Sequence, residues 1–233
     1  MQEKDYLLRQ CTEQILKGAN VKVDKQNPDN DIEYYEINMS HFIENNIELD
    51  LKEDKKRGNE EQIKSRRLKK GDIIIPARSK TINKMAIFNI DTPTPCMVNH
   101  QYWIIRPEAS LLNSYYLLSY LLNKDTKGIL NISNQMSGTS IMNISLDSLK
   151  NLKLKLPPME EQKKMESILK SLQKVNGFKD KLIRVQNSVN SINYDTNATD
   201  SIINQLNSIE IIMDTLSSEF DKLNVIAVPE EFI

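Results

Sequence analysis

This chain of 233 residues is poor in the residues that usually carry chemistry. It has two cysteines, Cys11 and Cys96, far apart and with no motif around them. A disulfide-built secreted domain is therefore not expected, and a reducing, cytoplasmic setting is. Two histidines, His41 and His100, stand without metal-ligand spacing, so each reads as a surface or hydrogen-bonded residue. No G-x-G-x-x-G and no phosphate-binding P-loop occurs, so no nucleotide cradle is visible. No Ser or Cys sits in a nucleophile-elbow context. The Asp/Asn-Pro-Pro-aromatic signature of amino-methylating enzymes is missing as well. Leu156-Pro157-Pro158-Met159 lacks its polar and aromatic members, and Asp91-Thr92-Pro93 lacks the second proline. No apolar run approaches the roughly 18 residues of a membrane-spanning helix. The opening Met1-Gln2-Glu3-Lys4-Asp5 is polar and of mixed charge, which gives no expectation of a secretory signal. The expectation is a non-catalytic chain with no cofactor and no membrane partner.

Excess charge of one sign is missing too: 31 Lys and Arg against 32 Asp and Glu give a net charge of −1. Bulk attraction to DNA is not expected from such a chain. The balance hides an asymmetry. Residues 52–84 hold 12 Lys/Arg and 5 Asp/Glu, net +7, whereas 195–233 hold 1 Lys and 8 acidic residues, net −7. The densest basic run, Lys64-Ser65-Arg66-Arg67-Leu68-Lys69-Lys70, reads either as a footprint for phosphates or as a solvated loop beside a strand.

The length leaves room for one domain of roughly 150 residues plus an extension. Over 5–17, Tyr6, Leu7, Leu8, Cys11, Ile15 and Leu16 fall near one helical face, with Gly18 as a stop, which predicts a short amphipathic helix. Residues 20–63 read as irregular, apart from a strand near 32–37. Lys69-Lys70-Gly71-Asp72 predicts a turn, followed by a buried strand Ile73-Ile74-Ile75 that Pro76 ends. Strands are also predicted at 85–88 and 102–105, a helix at 113–122 capped by Asn113 or Ser110, and an alternating strand at 152–156. Mixed strands and helices give an α+β domain over 1–156.

At Pro157-Pro158 the pattern changes to long helices over 157–233. Pro158 suits the first position of a helix, and Glu160 and Glu161 suit its first turn. Met165, Ile168, Leu172, Val175, Phe178, Leu182, Val185, Val189 and Ile192 then recur in steps of 3, 4, 3, 3, 4, 3, 4 and 3. This is a heptad seam with one extra step near Gly177, which locally overwinds a coiled coil. The helix, about 158–192, would extend roughly 50 Å. After a turn at 193–200, a helix at about 199–224 carries Ile202, Leu206, Ile209, Met213, Leu216, Phe220 and Leu223 in unbroken steps of 4 and 3. Residues 159–193 carry net +3 and 199–224 net −4. Opposite charges favour their pairing, within one chain or between two. A projecting coiled-coil arm is the expectation, with ordinary bundle packing as the alternative.

One enzymatic pattern matches in order: Asp29, then Asp50-Leu51-Lys52, as in a PD-(D/E)xK nuclease, with Glu53-Asp54-Lys55 as a second frame. The region is crowded with Asp, Glu and Lys, where chance matches of so short a pattern are expected.

Three stretches together resemble the specificity subunit of type I restriction-modification systems. The first is 68–79 (Leu-Lys-Lys-Gly-Asp-Ile-Ile-Ile-Pro-Ala-Arg-Ser), followed by 84–88. The second is 99–107 (Asn-His-Gln-Tyr-Trp-Ile-Ile-Arg-Pro), followed by the 115–122 helix. The third is 138–145 (Gly-Thr-Ser-Ile-Met-Asn-Ile-Ser), leading into Leu156-Pro157-Pro158-Met159-Glu160-Glu161-Gln162. The resemblance covers 68–192 well and 1–67 loosely. It implies a target-recognition domain for double-stranded DNA, helices that act as a spacer, and docking to an adenine methyltransferase (modification) subunit. A restriction subunit would join through that complex, and use of S-adenosylmethionine and ATP would belong to the partners. The chain has room for one recognition domain where the usual subunit has two. A homodimer, or pairing with another half-subunit, would restore the full architecture and read two inverted half-sites.

Base readout needs paired donors and acceptors, and phosphate contact needs Lys, Arg, Ser and Thr. Three loops supply both. They contribute Arg78, Ser79, Lys80, Asn83 and Lys84 from the first, Asn99 and Gln101 from the second, and Asn134, Gln135, Thr139 and Ser140 from the third. Arg66, Arg67, Lys69 and Lys70 of the basic run complete the candidate DNA-binding set. A coiled-coil adaptor without DNA readout is the alternative of a different class.

Overall fold

The computed structural model describes residues 4–42, 47, 49–52, 55–79, 85–122, 142–171, 173–174, 211 and 214. Two compact units divide the chain, Met1–Met165 and Glu166–Ile233. In chain order the first holds β1 (Lys4–Leu7), β2 (Thr12–Lys17), β3 (Asp31–Ile37), β4 (Lys55–Asn59), α1 (Glu60–Arg66), β5 (Ile73–Pro76), β6 (Arg78–Ser79), β7 (Ala86–Ile87), β8 (Cys96–Val98), β9 (Tyr102–Pro107), α2 (Ser114–Leu122), β10 (Met142–Asn143), α3 (Leu146–Lys150) and β11 (Lys153–Leu156). A further helix, α4, begins at 159 and is helical over 159–171. This is the mixed α+β class the sequence predicts.

The run Ile73-Ile74-Ile75 is fully buried on both sides. It lies inside a four-stranded sheet ordered β2-β9-β5-β7, which explains a continuous apolar strand rather than an alternating one. β9 is its antiparallel neighbour, with Ile73 facing Ile105 and Pro76 facing Tyr102. A second sheet, β4-β3-β8, pairs β3 antiparallel to β4 and parallel to β8. Among the described residues, one buried cluster joins Ile37, Leu68, Ile74, Ala86, Cys96, Val98, Tyr102 and Ile104, with the Phe42 and Tyr102 rings stacked 5.7 Å apart. Each such side chain contributes about 1.5–3 kcal/mol by leaving water.

The helix predicted over 5–17 does not form. β1, a 3-10 turn at Leu8–Gln10 and β2 take its place. Leu8 and Cys11 are both fully buried, three residues apart, because the turn has a three-residue repeat. That local spacing imitates a helical face. β1 finds its partner at the far end of the domain, pairing with β11, and β2 pairs with β9. Residues 20–63 are also more ordered than expected. β4 (Lys-Lys-Arg-Gly-Asn) has no apolar face and forms as an edge strand, where charged side chains are tolerated. α1 follows, its N-terminus capped by Asn59 Oδ1, which accepts from Gln62 N at 3.1 Å, and Ile63 anchors it in the interior. The basic run is thereby cut in two. Its first three residues end α1, and the rest runs extended into the turn before β5, where Gly71 holds φ at +86°.

The strands expected near 73–75, 85–88, 102–105 and 152–156 and the helix at 113–122 form. α2 is capped by Asn113, whose Oδ1 accepts from Tyr115 N at 2.8 Å and Tyr116 N at 3.2 Å. α4 opens at Pro158, whose carbonyl accepts from Glu161 and Gln162. Gln162 is 1% exposed. Its Oε1 accepts from Asn113 N at 2.8 Å, while its Nε2 donates to Leu111 O at 3.1 Å and Pro157 O at 3.0 Å. One amide so ties the start of α4 to the entry of α2. In the second unit Ile168 is helical and buried, and Lys170 pairs with Glu166 one turn away. The other predicted seam residues, Val175, Leu182, Val189, Ile202, Leu206, Ile209, Met213, Leu216, Phe220 and Leu223, lie outside the described residues.

Candidate nucleic-acid interface

Ala77, at the end of β5, is the meeting point of three chain segments. Its N–H donates to Gln101 O at 2.7 Å, and its carbonyl accepts from Ile144 N at 2.9 Å. The next residue, Arg78, opens β6, which pairs antiparallel with β10 so that Arg78 faces Asn143. The bases of all three loops expected to face DNA are thus hydrogen-bonded to one another. Among the predicted residues, Arg78 and Gln101 are exposed at this corner. Asn99 is half-buried, and its Oδ1 accepts from Gln101 N at 2.9 Å. It shapes the turn before β9, so its acceptor is already engaged. Ser79 shares β6 with Arg78. Lys80, Asn83, Lys84, Asn134, Gln135, Thr139 and Ser140 lie outside the described residues.

The basic run contributes less than its charge suggests. Arg66 is half-buried and donates from Nη1 to Lys17 O at 3.3 Å, which carries it towards the corner. Arg67, Lys69 and Lys70 lie beyond the opposite end of β5. The carbonyl of Arg67 accepts from Arg106 Nη2 at 3.2 Å. Lys69 N donates to Asp72 Oδ2 at 2.8 Å, and Lys70 is paired with Asp91. A four-residue strand separates these side chains from Arg78, so the run is not one continuous phosphate stripe.

Two residues from outside the expected loops, Lys17 and Asn20, and His100 from within the expected 99–101 loop stand at the corner. Lys17 is brought there by the register of β2, which sets it opposite Trp103, and its Nζ lies 5.4 Å from the centre of the Trp103 ring. His100 and Asn20, both exposed, are bonded through Nδ1 and Oδ1 at 2.8 Å. Gly18 makes this possible. A Cβ there would lie 2.1 Å from Asn99 O, so only glycine lets the end of β2 pass the 99–101 turn. No local pattern in the sequence points to Lys17 or Asn20, because β2–β9 register and the close pass at Gly18 bring them there.

At the other end of the sheet, a buried ion pair fixes the β5 entry. Arg106 Nε and Nη2 donate to Asp72 at 2.8 and 2.7 Å. Burial pushes the Asp72 carboxyl above the ordinary aspartate range, while Arg106 and the Lys69 N–H pull the other way. Among the described residues, no three His, Cys, Asp or Glu side chains are grouped to hold a metal ion. Asp29 stands in a 3-10 turn at Pro28–Asn30, whereas Asp50 N bonds to His41 O.

A family profile described as type I restriction modification DNA specificity domain matches residues 13–185. The chain belongs to this family. A specificity domain of this kind selects sequence and is itself non-catalytic. Among solved structures, the specificity domain is similar to the HsdS subunit from Thermoanaerobacter tengcongensis. The TM-score is 0.53 at 14% identity, over 83% of this chain and 50% of that one. It is also similar to a chain from a type I R-M system solved to explain complex assembly and conformational transition. There the TM-score is 0.50 at 14% identity, over 80% of this chain and 48% of that one. The specificity domain thus spans about half the length of these structures. Among curated proteins, none matches it. Among the described residues, no helix is long and apolar enough to cross a membrane.

Proposed function

We propose that this chain is the sequence-reading subunit of a type I restriction-modification system, reading one half of a split target in double-stranded DNA. The family match over most of the chain carries this reading, and the likeness in fold to an HsdS subunit supports it. Arg78 and Gln101 are the base readers. A guanidinium suits the paired acceptors of guanine and a carboxamide suits adenine in the major groove. Lys17 and Arg66 supply cations for phosphates at the same corner. Lys80, Asn83, Lys84, Asn134, Gln135, Thr139 and Ser140 are further DNA contacts on the strength of their residue types alone.

Residues 1–156 form the recognition domain and 157–233 the coiled-coil arm, which spaces two recognition domains and docks the adenine methyltransferase subunit. A restriction subunit joins through that complex, in the cytoplasm. A second copy, or another half-subunit, supplies the second recognition domain. The test is co-expression with an adenine methyltransferase subunit, followed by mapping of methylated adenines across the host genome. One gapped, two-fold symmetric motif, present only with this chain, is the expected result. An asymmetric gapped motif indicates a different second half. No new methylation and no recovered complex would overturn the proposal in favour of an adaptor.

A further inference from the structure

The molecule has a single tryptophan, and its placement ties the corner together. Trp103 is 7% exposed, and its Nε1 donates to Ile144 O at 2.8 Å in a buried bond. Ile144 N donates to Ala77 O, and Ala77 N donates to Gln101 O. Gln101 precedes Trp103 by two residues. These bonds and peptide units close a circuit from Trp103 through Ile144, Ala77 and Gln101 back to Trp103. The indole is its only side-chain link. A buried indole N–H needs an acceptor, but any nearby carbonyl satisfies that need. Here the acceptor belongs to the residue that clasps Ala77, the neighbour of Arg78. Lys17 Nζ covers the ring, adding a cation–π contact that holds its plane.

We infer that Trp103 is a positioning residue for base readout, fixing the backbone from which Arg78 and Gln101 project. The inference rests on the DNA reading proposed above. Bidentate contacts to base edges depend on backbone placement, whereas attraction to phosphates tolerates small shifts. A loosened circuit therefore lowers preference for the target without lowering affinity for random DNA.

The test compares binding of the full chain, in complex with its methyltransferase, to the mapped target duplex and to a random duplex at one salt concentration. Trp103→Phe keeps an aromatic ring and removes the N–H. It is expected to lower the specific-to-random affinity ratio about tenfold, the equivalent of roughly one net hydrogen bond. Lys17→Met leaves the buried core intact and strips the cation from the ring. Because Lys17 is also assigned to phosphates, both affinities fall, and the target duplex is expected to lose about threefold more than the random one, which decides the matter if Trp103→Phe does not fold. Equal losses for both duplexes, or an unchanged ratio in the variants that fold, would overturn the positioning role while leaving the DNA reading standing. A wild-type complex with no preference for the target would overturn the DNA reading, and the inference with it.

Discussion

Cys96 shows what burial alone does to a titratable group. Its thiol is 2% exposed, and desolvation pushes its pKa from 9.0 to about 11. The Cys11 thiol, fully buried, is raised by the same cause. Neither forms thiolate near neutral pH, and thiolate is the reactive form. Iodoacetamide at pH 8 is expected to modify neither cysteine in the folded protein and both after denaturation, as read by intact mass. The raised folded value means that Cys96 binds its proton more tightly folded than unfolded. Its contribution to stability is complete below pH 9 and is lost as pH rises towards 11. Unfolding midpoints measured from pH 8 to 11 are expected to fall across that window. The isolated placement of the two cysteines pointed to free thiols. Their burial depended on strand pairings that the sequence does not display.

The start of α4 was legible as a proline-opened helix, and Gln162 explains why that segment matters structurally. One buried amide satisfies a backbone donor and two backbone acceptors from the segments entering α2 and α4. Gln162→Leu keeps the volume and leaves those groups without the amide. It is expected to cost about 1–3 kcal/mol, seen as a lower urea midpoint with unchanged slope. Elements with strong local signals were readable: the triple-isoleucine strand, the Asn113-capped helix and the alternating strand at 152–156. Residues 5–17 were misread because a 3-10 turn between two strands placed Leu8 and Cys11 three apart, as a helix would. β4 was missed because an edge strand of Lys, Lys, Arg, Gly and Asn has no apolar alternation to detect. At the candidate site, Arg78 and Gln101, singled out by residue chemistry, are exposed at one corner, and their DNA contacts are the proposal above. Lys17 and Asn20 were not expected there, because β2–β9 register and the close pass at Gly18 bring them to the expected 99–101 loop that holds His100.

At the scale of the whole molecule, a net charge of −1 conceals a basic middle and an acidic end. Attraction to DNA must therefore come from a local surface, and its salt dependence reflects few phosphate contacts. On the proposed half-size reading each chain supplies one recognition domain, so a symmetric reader needs two copies. Light scattering of the purified chain is expected to give twice 26.9 kDa, and a monomer mass would require a different half-subunit as the partner.

The pairing of β1 with β11 has a consequence for how the protein is made. Lys4 faces Leu156 across that ladder, so the strand that leaves the ribosome first waits for almost the last segment of the domain. Contacts this distant in sequence are slow to close, because the entropy of the intervening chain must be overcome before the pairing rewards it. During synthesis β1 therefore remains an open edge while the central sheet assembles. The domain is sealed only as the first turn of α4 emerges, which couples completion of the DNA reader to arrival of the helix that follows it.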